Sequence, residues 1–385
     1  MVQEQTTPEI IALTSVASRQ PGKTFRLGQV FNDTTNSYKI VWFMAILAIT
    51  RRGTFSSLKL SEIFAEMAVV AWHPVCLYRL SLGQQDKLQD AVLSIQKESG
   101  LPANADAQPI RAFIDGSPTA RAKLEFLGRY VPTRFLSPWF AEQLRGHPTE
   151  PSRARESERL AKASQNGPDA APYWFEDGAG SPSIRMNDAW LTFMGENIGV
   201  IGSFAEYYLA KYLQARNPGT PGIVGKLRAP AVRQLALARS FWNLAREGIG
   251  KRGKLGGLRD IYSGNPLGDQ FSIDHFLPWS FVAHDLLWNL VPTEPTTNSS
   301  KNDALPDIEI YLPKLASLHF TAIGAMGNRP KFLEDYTDMF KENAAGLLAI
   351  GEAGFLAKYR EVILPQAQIA RNQGFPADWK FRGQP

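Results

Sequence analysis

The chain carries one cysteine, Cys76, in 385 residues. A single thiol excludes an internal disulfide framework and a cysteine-rich zinc knuckle, and it fits a reducing compartment. Long apolar runs are lacking as well. The longest, 40–49, is ten residues and is closed by Arg51 and Arg52, about half of what a helix needs to span a bilayer. The start, MVQEQTTPEI, has no basic region followed by an apolar run, so no secretory signal is expected. There is no internal repeat and no long low-complexity tract. The glycine-rich GIGKRGKLGG at 248–257 lacks the spacing and strand context of a nucleotide-binding loop, and reads as a flexible loop that approaches phosphate. A cytoplasmic protein with no membrane association is the expectation.

Acids are scarce in one stretch. Residues 211–259 hold eleven Lys or Arg and a single acid, Glu247, against a whole-chain net charge of +5, so the remaining residues are net negative. A solvated helix face would explain such a run taken alone. Its place immediately before a cluster of polar residues favours polyanion binding, in which each neutralised phosphate adds sequence-independent affinity. The candidate nucleic-acid contacts are Arg239, Arg246, Lys251, Arg252, Lys254 and Arg259.

What is present is mostly helix pattern. The length exceeds what one hydrophobic core usually serves, so two domains are expected. Apolar residues recur at helical spacing over 38–50, over 58–71 (Leu60, Ile63, Phe64, Met67) and over 85–98 (Leu88, Val92, Ile95), and again over 231–246. His73 and Cys76 have no third ligand nearby and read as a packed pair. The stretch 146–172 is rich in charge, Pro, Ser and Ala, as a linker should be. The boundary is therefore expected at 151–172, between an α-helical recognition or regulatory domain, 1–150, and a second domain, 173–385. Residues 173–175 and 183–186 read as a hairpin, 307–312 as a short strand, and 314–325, 332–344 and 352–371 as helices.

The polar cluster lies in 259–306. The expected order is a strand over 271–276, a loop over 279–286, a return strand over 288–291 and a helix starting at Pro295. That order brings Asp274, His275 and Asn298 around one point, with Asn298, Lys301 and Asn302 on one helix face. Asp274 and Asn298 offer oxygen, which suits a hard cation such as Mg²⁺. His275 points away from its neighbour's face and is placed to take a proton from water. The pattern reads as a one-metal phosphodiesterase centre. His284, beside Asp285, reads as a loop-closing residue.

These residues resemble the HNH, or ββα-metal, nucleases, and in particular the HNH domain of RNA-guided CRISPR nucleases. The resemblance rests on IDHFLPWSF, on WNL with Asn289, and on NSSKNDALP, with nine positions from Asn289 to Asn298. It implies a mainly α protein, α+β overall, with a small ββα-metal module at 259–306, inside a nuclease domain at 173–385 with a basic approach at 211–259. It implies that Asp274 binds the metal, that His275 is the general base, and that Asn289 braces the loop or orients His275. Asn298, with Asn302 as the alternative, would complete the metal site, and Lys301 would steady the phosphate. The implied activity is metal-dependent endonucleolytic hydrolysis of nucleic acid, DNA being the expected polymer and Mg²⁺ or Mn²⁺ the cofactor. A restriction or anti-phage role and gating by a regulatory partner or homo-oligomer are further expectations. The alternative is a non-catalytic nucleic-acid-binding or assembly protein with a structural HNH module. Many members precede the motif with paired cysteines that hold zinc. Here the corner reads Asp260, Ile261, Tyr262, Ser263, Gly264, so no structural zinc is expected, and Ile261, Tyr262 and Pro266 should pack in its place.

Overall fold

The computed structural model describes residues 21–383 except 33, 54, 168–169, 177–181, 231, 252–256 and 328. The chain divides into two compact units, Met1–Pro218 with Lys226–Ala229, and Gly219–Gly225 with Pro230–Pro385. Both are mostly helical, each with one small antiparallel sheet.

In the first unit, α1 (Pro21–Gln29) leads to α2 (Tyr38–Arg52). The latter is apolar almost all round, and Ile40, Val41, Trp42, Phe43, Ala45, Ile46, Leu47 and Ile49 are all buried. A short strand β1 (Ser57–Lys59) then precedes α3 (Leu60–Trp72) and, after a π-helical turn at His73–Leu77, α4 (Lys87–Ser99). The stretch Leu60–Leu77 is long and apolar enough to cross a membrane by length and composition, yet 67% of it is buried inside the structure, as in a core helix. Asp86 caps α4 by accepting from the Leu88 amide and ties back to Ser37.

The boundary expected at 151–172 falls inside this unit. Residues Glu150–Ala163 form α5, with Ser157 and Ala161 buried. Beyond it, β2 (Tyr173–Phe175) and β3 (Ser183–Met186) make the expected hairpin. β3 also pairs with β1 through Ser57↔Arg185 and Leu58↔Ile184, giving the order β1-β3-β2. A three-stranded sheet shared by residues 57–59, 173–175 and 183–186 joins early and late parts of this unit, and the Trp42 indole donates to the Tyr173 hydroxyl at 3.1 Å. After β3 come α6 (Asp188–Glu196) and α7 (Ile198–Arg216), joined at Asn197.

The second unit begins its helical part with α8 (Ala236–Lys251). It continues with β4 (Ser272–His275), the short α9 (Trp279–Val282), β5 (Leu290–Thr293) and α10 (Pro295–Lys301). α11 (Ile308–Met326), α12 (Pro330–Phe340) and α13 (Gly351–Asn372) follow. Residues 308–312 are helical where a strand was expected over 307–312: the Asp307 side chain accepts from the Ile310 amide and starts α11. Gly248 lets α8 approach α11 closely, since a Cβ there would meet the Ala325 Cβ at 2.7 Å. The two strands sit among these helices. The Trp242 indole donates to the Leu290 carbonyl at 3.2 Å, the Tyr359 hydroxyl to the Trp288 carbonyl at 3.1 Å, and the Leu287 amide to the Asp335 carboxylate at 2.7 Å.

Candidate active site

β4 is short, β-branched at Ile273 and followed by Pro278 three residues beyond its tip, and it pairs antiparallel with β5 as Ile273↔Pro292, Asp274↔Val291 and His275↔Leu290. Consecutive residues of a strand face opposite ways, and Asp274 and His275 accordingly have different partners. Both are buried, at 3% and 4% exposure, which a charged or titratable group tolerates only with hydrogen bonds in place.

Asp274 Oδ2 accepts from the Tyr262 hydroxyl at 2.7 Å. Lys301 Nζ lies 3.2 Å from Oδ1 and 3.1 Å from Oδ2, and donates at 2.7 Å to the His275 carbonyl. The last turn of α10 is thereby fixed to the tip of β4. Burial, and then the neighbouring Asp274 charge, push the Tyr262 phenol well above its ordinary value, so it stays a donor.

His275 Nε2 is 2.8 Å from Asp285 Oδ1. Burial alone would push the Asp285 carboxyl up. The His275 hydrogen bond, the Gln234 amide at 2.6 Å and the charges of His275 and Arg233 outweigh it and hold the carboxyl below the usual range. An ionised carboxylate only accepts, so the Nε2 that faces it carries a proton, which leaves Nδ1 as the ring position that can accept one. Nδ1 makes no hydrogen bond among the described residues.

Asn289 is fully buried and bonds Leu277 twice: Oδ1 accepts from the amide at 2.8 Å and Nδ2 donates to the carbonyl at 3.0 Å. Of the two roles expected for it, the geometry is that of a loop brace; no bond to His275 is made. His284 packs against Trp288 with ring centres 5.2 Å apart and planes tilted by 59°, and accepts from the Leu286 amide at 3.4 Å, which closes the loop.

The structure changes several other expectations. Lys301 is 1% exposed and spends its ammonium on Asp274 and His275, so it anchors the strand where a phosphate contact was expected. Asn302 does not continue the face of Asn298. The helix ends at Lys301, and Asn302 follows in the left-handed region at φ 46°, with its side chain exposed. At the corner, Pro266 is exposed and Leu267 is buried in its stead beside Ile261 and Tyr262. The corner is also polar. Asp260 accepts from the Tyr262 amide at 2.8 Å, the Thr293 hydroxyl at 2.6 Å and the Glu294 amide at 2.9 Å. Tyr262 packs edge-on to Tyr311 and Trp379.

Among the basic candidates, Arg239 donates to the Phe271 carbonyl at 3.1 Å, Arg246 to Asp269 at 2.6 Å, and Arg259 to the Gly264 carbonyl at 2.8 Å. A guanidinium has five N–H donors, so each keeps some for a phosphate. The Lys251 side chain, Arg252 and Lys254, with most of the glycine-rich loop, lie outside the described residues. Arg233, absent from the expected contacts, is exposed, sits 5.6 Å over the Trp279 ring and acts on Asp285 by its charge. Asp285, Tyr262 and Asp260 were likewise missed. The one available signal for Asp285 was an acid in the loop between a strand-borne histidine and its partner strand.

Among the described residues no three His, Cys, Asp or Glu cluster as metal ligands. The expected cation donors are one carboxylate and one amide, a set that hard cations accept when water and phosphate complete the shell. Asp274 Oδ1 takes one donor and keeps a lone pair, and the half-buried Asn298 side chain makes no hydrogen bond among the described residues. The donors therefore fit such a cation, with Lys301 as a competitor for the carboxylate.

Residues 260–307 match the family model of HNH endonucleases. This segment belongs to the HNH endonuclease family. Curated proteins and solved structures give no match to the chain. The HNH segment begins at the buried Asp260 and runs through β4, β5 and α10, so every residue of the hydrogen-bonded cluster from Asp260 to Lys301 lies inside it. An HNH endonuclease segment implies a nucleic-acid substrate and, in general, dependence on a metal.

Proposed function

We propose that the chain is a metal-dependent HNH endonuclease that hydrolyses phosphodiester bonds, with DNA as the substrate and β4, β5 and α10 acting as a ββα-metal module. The observation that carries this reading is the buried His275, hydrogen-bonded to the half-buried Asp285 and next to the buried Asp274, within the residues that the family model matches. His275 takes a proton from the attacking water at Nδ1. Asp285 holds the ring through Nε2–H and stabilises the imidazolium that forms. A base so placed contributes on the order of 10²–10⁴-fold. Asn289 fixes the backbone just beyond His275, and Lys301 holds Asp274 and the His275 carbonyl in register. Asp274 and Asn298 would hold Mg²⁺ or Mn²⁺, which when bound offsets charge on the phosphorane-like transition state and on the leaving oxygen. Arg233, Arg239, Arg246 and Arg259 supply the approach for the polyanion.

A restriction or anti-phage setting in the cytoplasm, with activity gated by the first unit or by a partner, is the biological context we propose. A non-catalytic module has one observation on its side, the engagement of Asp274 by Lys301 and Tyr262. Plasmid nicking separates the two readings. Cleavage with Mg²⁺ or Mn²⁺ that EDTA abolishes supports the nuclease; plasmid binding with no cleavage under any of these cations supports the structural module.

A further inference from the structure

The first unit contains a cavity of about 760 Å³ that none of the chemistry above uses. That is the size of a pocket for a small organic ligand, about 300–1,000 Å³. Its lining has one sign of charge: Lys39, Lys87, Arg129, Arg134 and Arg153 against the single acid Glu150, which Arg134 engages. The Lys87 and Arg129 side chains are exposed and make no ion pair among the described residues. Cations converging on a concavity raise the local concentration of anions far more than the same charges spread over a convex face.

The same wall is aromatic. The Arg129 and Arg134 guanidiniums lie 5.1 Å and 5.0 Å from the Tyr130 ring centre. Tyr38 and Phe126 meet edge to face at 6.0 Å. All three rings are half-buried and line the cavity, so their faces are not consumed by the core. Asn32, Asn36 and Gln85 add amide donors and acceptors to the lining. Phosphate alone would need only the cations, and a lipid tail would need an apolar tunnel without the amides.

We propose that this cavity binds a phosphorylated nucleoside, its phosphates held by Lys87, Arg129 and their basic neighbours and its base stacked on the ring of Tyr130 or Phe126. Stacking of a base on an aromatic side chain is worth roughly 1–3 kcal/mol, which distinguishes such a ligand from inorganic anions. A free nucleotide and the phosphorylated end of a strand share this chemistry. The proposal stands independently of the nuclease reading, since every lining residue belongs to the first unit.

Calorimetric titration of the full-length protein with ADP, adenosine, inorganic pyrophosphate and a 5′-phosphorylated trinucleotide tests it. Saturable binding of ADP or of the trinucleotide is expected, with adenosine and pyrophosphate each at least about tenfold weaker. Whichever of the first two is tighter identifies the source. Lys87→Glu, Arg129→Glu and Tyr130→Leu should each weaken binding about tenfold or more while the melting curve holds, and Arg371→Glu, far from the cavity in sequence and outside the approach to the HNH segment, should leave ADP binding unchanged. Three results would overturn the proposal: no saturable binding of either nucleotide probe, pyrophosphate binding as tightly as the better of the two, or ADP affinity retained in the three cavity variants.

Discussion

Each unit buries an aspartate in its core, and the two are used differently. Asp86 in the first unit is 3% exposed and accepts from the Leu88 amide, the Ser37 amide and the Ser37 hydroxyl. It finishes a helix start and pins a turn, and burial pushes its carboxyl up. Asp274 in the second unit is equally buried and accepts from two functional side chains, Tyr262 and Lys301. Around it Asp260, His275, Ser280, Asn289, Thr293, Thr297 and Lys301 are buried as well. In the first unit Asp86 mainly completes backbone, through the Ser37 and Leu88 amides; in the second the side chain of Asp274 is held by the side chains of Tyr262 and Lys301. The difference teaches that burial of an acid does not mark a site, whereas a chain of buried side-chain partners does.

The variants that would break this contrast rank by expected effect. Asp274→Ala should bring plasmid cleavage to background. It also strands the Lys301 ammonium in the interior, which should lower unfolding free energy by about 3–5 kcal/mol in urea titrations. Retained cleavage would show that the buried chain of partners is only structural. Asp285→Asn presents an amide N–H to Nε2 and so favours the ring tautomer with its proton on Nδ1. Cleavage should fall roughly 10²-fold while DNA affinity stays the same, and a drop in affinity with an unchanged rate would move Asp285 from positioning to binding. Asn289→Ala removes both bonds to Leu277 and should destabilise by about 1–3 kcal/mol, with a smaller loss of rate than Asp285→Asn. Asp86→Ala is the control from the other unit: a loss of about 1–2 kcal/mol from the missing cap, with cleavage per folded molecule unaltered.

Much of the second unit could be read in advance, because its signals are local. The two strands and the helix at Pro295 appear in the expected order, with the short α9 where a loop was expected from 279, and Lys301 bonds both Asp274 and the His275 carbonyl while Asn289 braces Leu277 nearby. The rest depends on contacts that sequence spacing does not carry. The unit boundary was misplaced because β1 pairs with a strand more than a hundred residues later. The role of Lys301 was misjudged because an ammonium one turn from Asn298 can turn either outward or into the core, and its partner Asp274 decides. Asp285 was overlooked because its neighbour His284 satisfies the loop by packing against Trp288, and that local reading hid the bond from Asp285 to His275. The strand expected at 307–312 failed to a single cap, the Asp307 carboxylate on the Ile310 amide.

The most direct measurement is single-turnover plasmid cleavage by His275→Ala in Mg²⁺, with DNA affinity measured on the same preparation. The account predicts a loss of cleavage on the order of 10²–10⁴-fold with affinity nearly unchanged. Cleavage at the wild-type rate, or affinity lost in step with cleavage, would contradict it.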